Sequence, residues 1–512
     1  MIYSLQDINP KTYEGDMIFM YGDESAERVL PLGKREVELV KRRRSGEWGV
    51  ESGERRVENG ERRAESGKDF VVAFDRLPSR LYFVSFDSER KGAEVQERLR
   101  LLAAEVLRLL ERDGVREVAL CGEGTLPEEV AAMVEGLTLA DYSFDRYKSR
   151  ECYHLERLAV SRVFFSEEEL ESQRRLWNRI YWCREWVNMP VADLNAERFA
   201  EELEAVAKDL EGVRCTVMDR KKIESLRMGG LLGVNRGSVD EPRFVVLEYD
   251  GCAGAESGEW RVESGEGAPG ERPIVLVGKG VMYDTGGLNI KPEDYMQEMK
   301  SDMAGAATMA SVVFAAADNG LPVRVVALLP LTDNRPGGNA YAADDILTMY
   351  DGTTVEVVNT DAEGRLILAD AIAYGVKNYN PRVIIDAATL TGAAVRAIST
   401  FGIAAMQTNA ERELEMLKIV GEEVHERLVE FPMWREYDEL IRSEYADLRN
   451  CGTTPQAGTI TAGKFLAHFA KDVPFVHLDI AGVAYFTKAQ GYYRAGASGY
   501  GTRLLYGYLQ VQ

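Results

Sequence analysis

Apolar positions along the chain alternate between two spacings. Residues 81–86 form a short apolar run that predicts a strand. Residues 91–112 carry Leu99, Leu101, Leu102, Val106, Leu109 and Leu110 at helical spacing and predict a long amphipathic helix; 115–120 predict another strand. A helix over 166–187 is broken by Asn188-Met189-Pro190, since proline cannot continue a helix, and a further helix is predicted over 195–210. Beyond it the expected order is strand 214–217, a helix, strands 244–249 and 274–277, helix 304–319, and strands 323–329, 382–387 and 475–479. Alternation of this kind predicts an α/β fold with a mostly parallel central sheet flanked by helices. Two domains are expected: a smaller N-terminal α/β domain over 1–165, and a larger C-terminal domain over 191–512, joined by a linker helix over 166–190. In such a sheet ligands sit beyond the carboxyl ends of strands. Asp284, Asp361 and the segment after Asp386 are all expected to follow such ends.

Two stretches break this pattern. Residues 45–54 read SGEWGVESGE and 257–266 read SGEWRVESGE, differing only at Gly49 and Arg261. Tracts of Gly, Ser, Glu and Arg lack the apolar content to build a core. They are expected to be mobile low-complexity inserts, spanning about 43–68 and about 253–271.

The chain has 512 residues, 45% of them hydrophobic, enough for sizeable cores, and a formal net charge of −22. That charge disfavours nucleic acid and anionic membrane as partners. Residues 1–16 show neither a basic nor an apolar region of a signal peptide, and the longest apolar run, 304–317, is too short to span a bilayer. The six cysteines are scattered without a C-x-x-C pair, so reduced thiols and a cytoplasmic location are expected. None of the four histidines has H-E-x-x-H spacing; a metal site must therefore be built mainly from oxygen ligands.

Candidate chemistry lies in two segments. Residues 353–358 read as a strand and a helix starts at 367; between them lies Asn-Thr-Asp-Ala-Glu-Gly-Arg-Leu, 359–366. In extended chain the spacing of Asp361, Glu363 and Arg365 would point all three side chains the same way. Two carboxylates beside a guanidinium suit a hard cation next to an anion, though three charges alone more often mark a solvated loop with a local ion pair. The second segment, 274–302, supplies Lys279 between Gly278 and Gly280, then Asp284-Thr285-Gly286-Gly287, Lys291 and Asp302.

Together, Asn359 to Leu366, Val277-Gly-Lys-Gly280, Asp284 to Gly287 and Lys291 resemble the leucyl aminopeptidase (cytosol aminopeptidase) family. Blocks at 228–234, 330–340, 387–392, 457–462 and 477–482 follow in the family's order, and the resemblance covers roughly 166–510. It implies a metallo-exopeptidase that releases N-terminal leucine and other apolar residues from peptides with a free N-terminus. It also implies a homohexamer and two divalent metal ions per subunit, zinc or manganese, with cobalt and magnesium as alternatives. By the same resemblance, Asp284 and Glu363 would touch both metals. Lys279, as a neutral amine, and Asp302 would complete the tighter site, and Asp361 the exchangeable one. Lys291 would stay cationic at the scissile carbonyl, and Arg365 would hold a bicarbonate. The first side-chain pocket would be lined by Met299, Thr389, Leu390, Gly392 and Ala481. Ala484, where some relatives carry a bulkier Met, would leave room for Met and Phe as well as Leu. The competing reading is a catalytically silent hexameric scaffold or regulatory binding protein of the same fold.

Overall fold

The computed structural model describes residues 1–22, 32–44, 69–76, 79–87, 89, 92–252 and 272–512. Most of the two expected low-complexity inserts lies outside these residues. The chain divides into two compact units, one of residues 1–177 with 488–494, the other of 178–487 with 495–512. The helix expected as a linker, observed at Glu167–Asn188, is shared between them.

The first unit is built on a six-stranded sheet. Its spatial order is Ile2–Gln6, Arg157–Ser161, Glu117–Glu123, Met17–Tyr21, Ser79–Ser85 and Phe70–Arg76. All neighbours are parallel except the last pair. The helix expected over 91–112 is found at Ala93–Asp113. The central strand Met17–Tyr21 is buried at all five residues, so it shows no alternation in the sequence.

The second unit holds the larger sheet. Four strands at its centre run parallel: Phe475–Asp479, Val383–Ala388, Ile274–Gly278 and Arg324–Asn334. Antiparallel strands flank them, Ile403–Thr408 on one side, Arg243–Asp250 and then Val213–Met218 on the other. Val275, Val277, Val326 and Leu328 face a core shared with helices Gly364–Tyr379 and Gly458–Ala470, while helix Ala304–Asp318 packs on the opposite face. Burial on both faces explains why the central strands read as continuous apolar runs.

Two expectations are corrected. The strand expected over 353–358 is short, Thr354–Glu356, and belongs to a separate three-stranded sheet with Ile346–Thr348 and Leu448–Arg449. Asp361 therefore does not follow a strand of the central sheet. Asp361, Glu363 and Arg365 also do not lie along extended chain: Glu363 has helical φ and ψ, and helix Gly364–Tyr379 begins inside the octet.

Asp370 lies in that helix, fully buried, accepting hydrogen bonds from the Leu231 N–H (2.9 Å) and Tyr350 N–H (2.8 Å). Burial pushes its carboxyl up to about 7. Between the ordinary carboxylate range and about 7 the folded protein thus holds a proton that the unfolded chain releases, so stability should fall as pH rises through this window. Thermal melts of wild type and Asp370→Asn across pH 4–8 should show the wild-type advantage shrinking as pH climbs to about 7; a constant difference would contradict this.

Candidate metal centre

The central strands deliver the first candidate ligand. Lys279 is the hinge between Ile274–Gly278 and the next strand, Gly280–Asp284. Its N–H donates to the Ala387 carbonyl (3.1 Å) and its carbonyl accepts from the Ala306 N–H (2.8 Å), so its backbone is fixed from both sides. Asp284 ends the second strand, opposite Asn334 in register. Gly286, at φ +85°, then turns the chain back, with its N–H on Asp284 Oδ1 (2.8 Å). Asp302 comes from a 3-10 helix, Met299–Met303, that leads into helix Ala304–Asp318. In the octet, the Asn359 side chain accepts from the Asp361 N–H (2.8 Å), making the turn that precedes the helix.

These residues converge. Lys279 Nζ lies 2.8 Å from Asp302 Oδ1, 2.8 Å from Glu363 Oε1 and 3.0 Å from the Thr389 carbonyl. Lys291 Nζ lies 2.8 Å from Asp284 Oδ2 and 2.5 Å from Asp361 Oδ1. Carboxylate oxygens of Asp284, Asp361 and Glu363 all lie within 4.8 Å of one another. A Cβ at Gly364 would collide with Lys279 Cε, so only glycine admits the lysine there.

Lys279, Asp284, Asp302 and Glu363 are all buried, and Asp361 is half-buried. Burial raises Asp302 well above the ordinary range, mutual repulsion with Glu363 and Asp284 adds to it, and Lys279 opposes it. Burial also raises Asp361, to about 7, reinforced by Asp284 and Glu363. Glu363 is the exception: burial works against its charge, but Lys279 and Lys291 outweigh it and hold it low. For Lys279 burial alone would favour the neutral amine, yet Asp302, Glu363 and Asp284 hold it protonated. Four carboxyl groups meet two ammonium groups in a largely desolvated space, and burial with mutual repulsion pushes three of the four toward the protonated form. Asp302 Oδ2 is buried with no hydrogen-bond partner. This donor set fits divalent cations bound through oxygen.

Arg365 lies in the first turn of the helix, buried, with Nη1 donating to the Asn450 carbonyl (2.9 Å) and Nε without a partner. Of the expected pocket residues, Thr389 touches the centre: its hydroxyl donates to Asp302 Oδ1 (2.8 Å). Met299 sits three residues before Asp302 in the 3-10 helix, on the same face. The Leu390 and Ala481 N–H groups both donate to Asp479 Oδ1 at 3.2 Å, which ties two of the expected pocket segments together. Gly392 begins a short helix capped by Thr391.

Several supporting residues escaped the sequence reading. Asn334 Nδ2 donates both to Asp284 Oδ1 (2.9 Å) and to the Thr360 carbonyl (3.0 Å), and the Tyr341 hydroxyl donates to that same carbonyl (2.6 Å). Groups that orient ligands in this way tune a metal site as much as the ligands do. Asp386 lies within the sheet, fully buried and paired with His477 Nδ1, away from the carboxylate cluster.

Fold and site define a metal-dependent hydrolase of α/β architecture. Residues 181–506 match the catalytic domain of the cytosol aminopeptidase family and residues 57–151 match its N-terminal domain. The chain belongs to the cytosol aminopeptidase family, whose members are aminopeptidases, and hence hydrolases. A probable cytosol aminopeptidase of Geobacter sulfurreducens is 38% identical over 447 residues, covering 85% of this chain and 86% of that protein. One of Chlorobaculum tepidum is 44% identical over 395 residues, covering 74% and 75%. Among solved structures, the bottromycin maturation enzyme BotP in complex with Mn matches with a TM-score of 0.79 at 27% identity, covering 97% of this chain and 99% of that one.

Proposed function

We propose that the chain removes N-terminal residues, leucine and other apolar ones, from peptides by a two-metal mechanism. The buried excess of carboxylates around Lys279 and Lys291 is the observation that carries this reading. Lys279, Asp284, Asp302, Asp361 and Glu363 would hold the two cations. When bound, two divalent cations, zinc or manganese by preference, would activate water and polarise the scissile carbonyl.

The protein's own groups do the rest. Lys291, held protonated by Asp284, Glu363 and Asp361 against the effect of burial, presents a fixed positive charge to a developing oxyanion. Lys279 must surrender its proton to act as a ligand, so loading the centre should release protons. Arg365, through its unpartnered Nε, offers a donor to a small anion such as bicarbonate. Met299, Thr389, Leu390, Gly392 and Ala481 would form the wall for the first side chain. Ala484, buried nearby in sequence, leaves a wall that should admit Met and Phe along with Leu. The resemblance implies a cytoplasmic homohexamer as the working form.

Leucine p-nitroanilide hydrolysis by purified protein tests the reading. Chelation should abolish it, and manganese, zinc or cobalt should restore it, with methionine and phenylalanine substrates turned over at comparable rates. A folded protein inactive with every metal would overturn the proposal. Leucine outpacing the other two by orders of magnitude would overturn the roomier pocket.

A further inference from the structure

The octet that carries Asp361, Glu363 and Arg365 is held by a residue 84 or more positions further along the chain. The short strand Leu448–Arg449 runs parallel to Thr354–Glu356, and the residue that follows it, Asn450, is completely buried. Its N–H donates to the Glu356 carbonyl (2.9 Å), which docks it beside the strand leading into the octet. Its side-chain Oδ1 accepts from the Val358 N–H (2.8 Å) and the Asn359 N–H (3.4 Å). Its Nδ2 donates to the Asn359 carbonyl (2.7 Å) and reaches toward the Ala362 carbonyl (3.5 Å). Its own carbonyl takes Arg365 Nη1 (2.9 Å).

One asparagine thus satisfies the backbone on both sides of the turn and also fixes the guanidinium beyond it. A turn of this kind, short of regular hydrogen bonding and carrying two carboxylates that repel one another, needs such a brace. On the opposite side Asn334 and Tyr341 hold the Thr360 carbonyl, so the segment is gripped between two clamps. The Asn450 clamp differs in reaching Arg365 as well as the ligand turn.

We propose that Asn450 is a positioning residue for the reaction: its amide sets the turn that presents Asp361 and Glu363, and its carbonyl sets Arg365, so that the cation-binding and anion-binding halves of the site move together. This rests on the metal reading of the site. The Asn450 side chain and carbonyl bond to the backbone of Val358, Asn359 and Ala362 and to the Arg365 guanidinium. Its loss should loosen the carboxylates and free the Arg365 head group, weakening metal binding and the rate together without altering how the first side chain is held.

The test is calorimetric titration of chelated full-length protein with Mn²⁺, beside steady-state kinetics on leucine p-nitroanilide at saturating Mn²⁺. Asn450→Ala should bind Mn²⁺ about 10–100-fold more weakly, the usual cost of losing an outer partner of a metal site. Its kcat should fall by a similar factor with KM little changed. Asn450→Asp keeps the acceptor for the Val358 and Asn359 N–H groups and loses the donor, so its Mn²⁺ affinity should fall between wild type and Asn450→Ala. Glu426→Gln, placed in a buried ion pair with Arg503, serves as the control for a purely thermal defect. It should melt lower and leave Mn²⁺ affinity and kcat unchanged. Wild-type Mn²⁺ affinity and kcat in both Asn450 variants, with only a lower melting temperature, would overturn the proposal. Should Asn450→Ala fail to fold, Asn450→Asp decides alone. A wild-type protein that binds no Mn²⁺ would overturn the metal reading, and this proposal with it.

Discussion

Glu363→Gln should lower kcat for leucine p-nitroanilide by about 10³-fold or more at saturating metal, while the protein stays folded. The size follows from what the carboxylate does. Charge stabilisation by a catalytic metal is worth several kcal/mol, and about 4 kcal/mol corresponds to about 10³ in rate. Among the four carboxylates of the centre, Glu363 is the one whose ionisation the surroundings favour, because Lys279 and Lys291 outweigh its burial. Asp284, Asp302 and Asp361 are all shifted the other way, chiefly by burial. Glutamine keeps the shape and removes a negative charge that would help hold the cations. It also leaves Lys279 with Asp302 and the Thr389 carbonyl as its close partners. The fold should survive, since the helix Gly364–Tyr379 is anchored through its apolar residues and Asp370. The check is kcat against Mn²⁺ concentration, with circular dichroism for the fold. A variant that keeps most of its rate once metal is saturating would remove Glu363 from the centre.

Much of this site could be read from the chain because its chemistry is compressed into short segments. Lys279, Asp284, Lys291 and Asp302 come from one stretch of chain, and in the structure they lie beside the octet's carboxylates. The helix expected over 304–319 and the strand over 475–479 are found at Ala304–Asp318 and Phe475–Asp479, where burial makes the apolar signal continuous. What the chain hid has a common physical form. The extended reading of the octet failed because three charges at spacing two carry no helical signature, while the helix starts at Gly364 beneath them. Strand 323–329 runs on to Asn334 through Pro330, Thr332 and Asp333, residues that read as a strand's end. That extension places Asn334 on Asp284. Asn450 and Asp479 act through side chain to backbone bonds across long separations, and no local pattern announces such bonds.

Glu426→Ala should destabilise the second unit by about 3–5 kcal/mol, the cost of removing one member of a buried ion pair. Arg503 and Glu426 are both almost fully buried, and Arg503 Nε donates to Glu426 Oε1 at 3.1 Å. The other carboxylate oxygen takes the N–H groups of Gly501 (2.9 Å) and Leu504 (3.0 Å). Those N–H groups lie at the start of the last helix, Thr502–Gln510, where no intrahelical acceptor is available. Glu426 therefore does two things at once: it neutralises a buried guanidinium and caps a helix whose first residue follows Gly501 at φ +94°. Helix Thr502–Gln510 packs on Ala304–Asp318, the helix that Asp302 introduces. Alanine removes the acceptor shared by these two N–H groups and the carboxylate that faces the buried Arg503 guanidinium. A melt of wild type and Glu426→Ala should show a drop of several degrees, and Arg503→Met added to Glu426→Ala should recover part of it by removing the buried charge. Recovery is the decisive observation: if the double variant melts no higher than Glu426→Ala, the loss comes from the missing cap and not from the counter-charge taken from Arg503.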